Sequence, residues 1–188
     1  MRGKRTADVV LFSRQDGLLS VLAVERGKAP FRAAIALPGG FANPGERSRD
    51  VALRELAEET GLVFPRNRLR RLGCYNEPGR DPRGRVVSVA YHGYLPGAPA
   101  VVGRSDARVA QWVAVSDFLS PDVVIGFDHR RIVCDAMFSR FGRRVSVSAD
   151  VTSPGAEGVP GPVGRAQRVA LPGVWSGLRS GRGSLRCP

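Results

Sequence analysis

The segment Leu37 to Leu62, LPGGFANPGERSRDVALRELAEETGL, constrains this chain more than any other. It gathers Glu46, Asp50, Glu55, Glu58 and Glu59 in a protein whose formal net charge is +12. The run RDVALRELAEET predicts a helix, with Ser48 as N-cap and Gly61 as the residue that accepts the left-handed closing conformation. Residues three and four apart share a helix face, so Glu55, Glu58 and Glu59 stand together. Like charges at that spacing repel, and a solvated acidic face is one reading of them. The preceding loop, PGGFANPGE, favours another. Its glycines allow close backbone approach. Beside carboxylates such a loop becomes a phosphate site only if divalent cations bridge acid and phosphate. Mg²⁺ prefers oxygen ligands and is commonly held by a few carboxylates plus substrate phosphates. The segment therefore predicts a metal-bridged phosphate site.

The spacing also carries a family resemblance. Gly40, five residues, Glu46, seven residues, then Arg54-Glu55-Leu56-Ala57-Glu58-Glu59-Thr60-Gly61-Leu62 resembles the Nudix box, G-x5-E-x7-REUxEExGU, at every defined position. The resemblance implies a Nudix-type α/β/α sandwich with a mixed β-sheet, the box forming a loop–helix–loop. It implies a hydrolase of nucleoside diphosphates linked to another moiety, dependent on Mg²⁺ or Mn²⁺. Carried over by position, Glu55, Glu58 and Glu59 would ligate metal, together with the carbonyl of Gly39. Arg54, counted with them in the catalytic set, would pair with Glu46 and orient the loop. Gly40, Glu46 and Gly61 would be structural positions of the box, and Leu56 and Leu62 would face the core.

The box names a reaction class, and the segment CYNEPGRDPRGRVVSVAYHGYL bears on the substrate. Pro78, sixteen residues after Leu62, resembles the marker of the ADP-ribose pyrophosphatase group. PFRAAIALPGGF and GFDHRRIV look like the same group, which includes NAD-linked regulators. Pro78, Arg80 and Arg85 are the expected substrate-binding residues. Arg83 is a further candidate for phosphate or ribose; for all three arginines the alternative is an exposed, mobile basic loop. Tyr75 and Tyr91 are candidates to stack on adenine, although strand tyrosines more often pack. Candidate general bases are Glu55 first, then Glu77, Asp81 and Asp106. The expected reaction is hydrolysis of ADP-ribose to AMP and ribose 5-phosphate. Alternatives are another Nudix substrate (NADH, a sugar nucleotide or an oxidised nucleoside triphosphate) or an ADP-ribose-sensing, DNA-binding regulator.

The rest of the chain divides in two. Residues 1–144 alternate apolar runs with turn signals and read as one domain. ADVVLFS and LLSVLAVER flank RQDG as a hairpin, and AAIALP, RRLGCYNE, RVVSVAYHGYL and RVAQWVAV read as further strands. DHRRIVCDAMFSRF carries apolar residues at helical spacing. Residues 145–188 contain eight glycines and five prolines in 44 positions, a composition that predicts a disordered tail. That tail shows no pair of amphipathic helices. The arginines are scattered rather than clustered, so nucleic acid is not the expected partner despite the charge. No apolar run reaches the length of a membrane span. Cys74, Cys134 and Cys187 have the spacing of neither a zinc site nor a disulfide framework. A cytoplasmic protein acting on a small nucleotide follows, with a homodimer expected by analogy with the family.

Overall fold

The computed structural model describes residues 4–105 and 107–142. The expected tail, 145–188, and the candidate base Asp106 lie outside the described residues. Strand β1 (Lys4–Gln15) and strand β2 (Leu18–Arg26) form the hairpin that RQDG predicts. Gln15 pairs with Leu18, and Asp16 and Gly17 both take positive φ, 50° and 78°. That pair of angles gives the tight turn whose twist matches two antiparallel strands.

Further strands are β3 (Ile35–Ala36), β4 (Gly39–Phe41), β5 (Arg70–Tyr75), β6 (Val86–Tyr94) and β7 (Ala107–Ala114). The sheet runs β3-β2-β1-β6-β5, with β4 added on β1 and β7 on β2. It is mixed: β1 lies parallel to β6 and antiparallel to its other partners. The helices are α1 (Ser48–Thr60), α2 (Val115–Leu119) and α3 (His129–Phe141).

Period-two alternation explains the layering. From β1 and β2, Val10, Phe12, Val21 and Ala23 pack with Val115 and Phe118 of α2 and Ile132 and Val133 of α3. Their neighbours Val9, Leu11 and Leu22 point to the other face and pack with Val51, Ala52 and Leu56 of α1. The central strands are thus buried on both faces, as a sheet covered on both sides requires. The predicted α/β/α sandwich is the observed fold. No helix among the described residues is long and apolar enough to cross a membrane.

Ser48 is not the cap expected of it. Arg47 occupies the cap position without a side-chain bond, and the Ser48 hydroxyl meets the Tyr91 hydroxyl at 2.8 Å. Buried Tyr91 sits where it can claim that hydroxyl, and the helix start forgoes it. At the other end Gly61 closes α1 with φ 73°, its N–H bonded to the Ala57 carbonyl.

Candidate active site

Two consecutive glycines bring β4 and α1 together. Gly39 and Gly40 pair with Asp8 and Ala7 of β1. A Cβ on Gly39 would stand 2.4 Å from both the Ala7 carbonyl oxygen and Asp8 Oδ1, and one on Gly40 would stand 2.3 Å from Glu55 Oε1. No side chain fits at either place. The space a Gly40 side chain would need is filled by the Glu55 carboxylate, so this glycine serves close approach.

The helix then separates its three glutamates. At about 100° per residue, Glu59 lies about 40° from Glu55, while Glu58 lies about 60° to the other side. Glu55 and Glu59 accordingly line one cavity of ≈ 300 Å³. Glu58 stands outside its lining, 49% exposed, with Oε2 3.2 Å from Arg54 Nη1. Glu59 Oε2 accepts the Gly39 N–H at 3.0 Å. Burial pushes the Glu59 carboxyl up to about 8, against the help of that N–H. Burial likewise raises Glu55. Both acids resist carrying their charge without a positive partner.

Arg54 anchors the loop. Its Nε donates to Glu46 Oε1 at 2.8 Å, its Nη2 to Glu46 Oε2 and the Phe41 carbonyl at 3.0 Å each, and its Nη1 to Glu55 Oε1 at 2.7 Å. The Arg54 hydrogen bond is the largest of the influences holding Glu46 down at about 2. This forked pairing is the geometry at which guanidinium binds carboxylate best.

The same cavity has a basic and aromatic set in its lining: Arg26, Lys28, Phe41, Arg80, Arg83 and Phe127. Arg80 is not part of an exposed, mobile loop. Its side chain is 4% exposed and forks onto Asp128, with Nε–Oδ2 at 3.0 Å and Nη2–Oδ1 at 2.6 Å. Asp8, also on the cavity wall, lies 3.8 Å from Arg80 Nη2 and 3.8 Å from His129 Nε2. The Leu37 N–H donates to His129 Nδ1 at 2.9 Å, so the ring proton of neutral His129 resides on Nε2, facing Asp8. Burial lowers the His129 pKa, which keeps the ring neutral.

Pro78 and Arg85 are exposed and outside the lining. Tyr75 is buried, donating its hydroxyl to Asp135 at 2.9 Å, and Tyr91 is buried beneath α1, so neither reaches the cavity. Glu77 is paired on the surface with Arg131. Asp81 does line the cavity, bridged to Arg83 at 2.6 Å. The residues that sequence reasoning missed are Asp8, Arg26, Lys28, Phe41 and Phe127. Each comes from a separate strand or loop, and only the fold joins them.

Among the described residues, no three His, Cys, Asp or Glu side chains are placed to hold a metal ion together. Two half-buried acids one helical turn apart, each with its pKa raised by desolvation, nevertheless have the donor chemistry for a hard divalent cation. Such an ion takes one or two carboxylates and completes its shell with water and substrate phosphate.

A model of the NUDIX domain family matches residues 3–135. The ADP-ribose pyrophosphatase of Methanocaldococcus jannaschii is 35% identical over 126 residues, spanning 65% of this chain and 70% of the relative. The ADPR responsive transcriptional repressor NtrR of Acinetobacter baylyi is 29% identical over 146 residues, spanning 77% of this chain but 56% of the repressor. Among solved structures, the NUDIX domain of Shewanella oneidensis NrtR complexed with ADP ribose aligns with a TM-score of 0.68 at 30% identity, over 74% of this chain and 89% of that one.

Proposed function

The chain belongs to the Nudix hydrolase family, and from that premise we propose that it hydrolyses the pyrophosphate bond of ADP-ribose to give AMP and ribose 5-phosphate. The observation that carries the proposal is the cavity itself, whose lining Glu55 and Glu59 share with Arg26, Lys28, Arg80 and Arg83. A diphosphate with a sugar or base on either side needs such a bipolar site. The choice of ADP-ribose is supported by the relatives, one a pyrophosphatase for that molecule and one a domain that binds it.

Glu55 and Glu59 would hold the divalent cation, Mg²⁺ or Mn²⁺, with the Gly39 carbonyl as a further oxygen. When bound, the cation neutralises phosphate oxygens and acidifies water. Arg54 fixes Glu55 from one side and Gly39 fixes Glu59 from the other. Arg80, locked by Asp128, presents a cation that costs no reorganisation when the diphosphate arrives. In the reaction a water oxygen bonds to one phosphorus as the bridging P–O bond breaks. The water gives up one proton, and the bridging oxygen leaves with the other phosphate. Asp81 is a base candidate inside the cavity, and Glu77 lies outside its lining.

The test is product analysis with ADP-ribose and Mg²⁺. The wild type should yield AMP and ribose 5-phosphate in equal amounts. Glu59→Gln should lose on the order of 10³-fold in rate, about 4 kcal/mol of transition-state stabilisation. If a nucleoside triphosphate or NADH has a specificity constant ten times that of ADP-ribose, the substrate assignment fails. The likeness to the Acinetobacter repressor supports a second reading, an ADP-ribose-responsive regulator. Tight, sequence-selective retardation of DNA without turnover of ADP-ribose would favour it.

A further inference from the structure

One part of the cavity has no role in holding acids or a diphosphate. Phe41, on β4, and Phe127, just before α3, both line it, although 86 positions separate them in sequence. A single guanidinium touches both rings: Arg83 Cζ lies 4.7 Å from the Phe41 ring centroid and 5.3 Å from that of Phe127. We propose that Phe41 and Phe127 form a stacking slot for the substrate's purine base, and that Arg83 occupies this slot when no base is bound. The inference rests on the reading of a nucleoside diphosphate substrate and names the residues that would select its base.

The backbone supports the slot independently of the contacts. Phe127 takes φ 56°, left-handed space that a bulky side chain enters only at a cost. Strain of this kind gathers at ligand sites, where the surroundings hold a side chain to a task. Here three neighbours hold the ring, among them His129, with ring centroids 5.2 Å apart and planes at 40°. Phe31, itself at φ 61°, meets the Phe127 ring edge-on with centroids 4.9 Å apart and planes at 66°. Arg26 Cζ lies 4.8 Å from the Phe127 centroid, and its Nε is tied to the Pro30 carbonyl at 2.9 Å.

Three cations lie against the rings: Lys4 over Phe41 at 5.7 Å, Arg26 on Phe127, and Arg83 on both. Of these, only Arg83 bridges the two rings. Its side chain is 34% exposed, and its forked pair with Asp81, at 2.9 and 2.6 Å, is made within its own loop, so the two can swing away together. A guanidinium is a flat cation that fits against an aromatic face. A purine is also flat and larger, and stacks on such faces. On displacement, Arg83 stays at a cavity that already holds Arg26, Lys28 and Arg80, where it adds charge beside the diphosphate.

Calorimetric titrations in Mg²⁺ with ADP, adenosine and inorganic pyrophosphate test this. Phe41→Leu and Phe127→Leu should each weaken ADP binding on the order of tenfold, the range of one base–aromatic stack. Pyrophosphate affinity should stay within about twofold, because it reaches only the charged part of the site. Phe127→Tyr, which keeps the ring, should bind ADP like the wild type. Arg83→Ala should tighten adenosine binding, since adenosine has no phosphate to lose from Arg83 and gains an uncontested slot. ADP binding that is unchanged in both leucine variants, or that falls in step with pyrophosphate, overturns the slot. Weaker adenosine binding in Arg83→Ala overturns the occupancy by Arg83. If the wild type leaves ADP-ribose intact while the leucine variants still lose ADP selectively, the slot stands and the substrate assignment falls.

Discussion

The two walls of the cavity are built on different principles. The acidic wall, the two glutamates with their supports, comes from one continuous stretch; the cavity's aspartates, Asp8 and Asp81, lie elsewhere. Gly39 and Gly40 set the backbone, Arg54 and Glu46 lock the loop, and one turn of α1 delivers Glu55 and Glu59. The basic and aromatic wall is assembled from four places: Arg26 on β2, Phe41 at the end of β4, Arg80 and Arg83 in the β5–β6 loop, and Phe127 before α3. The acidic wall is held by short-range geometry and has little room to vary. The basic wall is held by tertiary packing and by Asp128, which gives loops freedom to change what is bound. On the proposed function, chemistry would reside in the local wall and selectivity in the assembled one.

The largest effect that would break this contrast comes from Gly40→Ala. The new methyl would need the space of the Glu55 carboxylate, whose Oε1 is 2.3 Å from the Cβ position. Displacing a catalytic group by about 1 Å costs on the order of 100-fold in rate. We expect that loss in kcat/KM for ADP-ribose with the fold retained, read by steady-state kinetics beside circular dichroism. Near-normal turnover would show that the acidic wall tolerates movement and is not rigid in the sense argued.

A smaller effect probes the basic wall. Asp128→Ala leaves Arg80 buried, with Asp8 at 3.8 Å as the more distant ion-pair partner that remains. Uncovering a buried charge in this way costs about 3 kcal/mol. Glu77→Ala breaks the exposed pair with Arg131, where both side chains are more than half exposed, and should change stability by less than about 0.5 kcal/mol. Urea unfolding of the two variants gives the comparison. Equal effects would remove the distinction between a built charge and a solvated one.

The same contrast explains what was legible in the sequence. The hairpin at RQDG, the box helix and its Gly61 terminus follow from local turn chemistry and periodicity, and the sheet covered on both faces from the family resemblance. Strand β4 did not, because GGF has no strand signature, and its pairing with β1 exists only where the missing side chains let it. The acids of the box were readable as a group, but their division was not. Glu58 turns to Arg54 while Glu59 turns inward, and that depends on where Gly39 places its N–H. In the β5–β6 loop, Arg80 and Arg85 looked equivalent. One is buried by Asp128, 48 positions away, and the other is exposed. GFDHRRIV resembled the ADP-ribose group as a segment, but nothing in it marked Phe127, since the residue's place on the cavity wall rests on a left-handed φ and on Phe31.

The finest test sets two acids of the same box against each other by pH, in chelator. Glu59 has its carboxyl raised from 4.5 to about 8 by burial, so between those values the folded protein binds protons that the unfolded chain releases. Stability then falls as pH rises through that window. Glu46 is opposite: the bond from Arg54 takes it from 4.5 down to about 2. Its contribution is whole above pH 4.5 and is lost as pH falls towards 2. The urea midpoint of the wild type should therefore decline on both sides. Glu59→Gln should shrink the alkaline limb, leaving the part that Glu55, also raised by burial, contributes, and Glu46→Gln should flatten the acid limb. Mg²⁺ should also flatten the alkaline limb, because a cation held by Glu59 replaces the proton that burial otherwise demands. An alkaline limb left undiminished in Glu59→Gln would mean that the inward acid is not what the cavity keeps from water, and the case for a cation between the two walls would weaken with it.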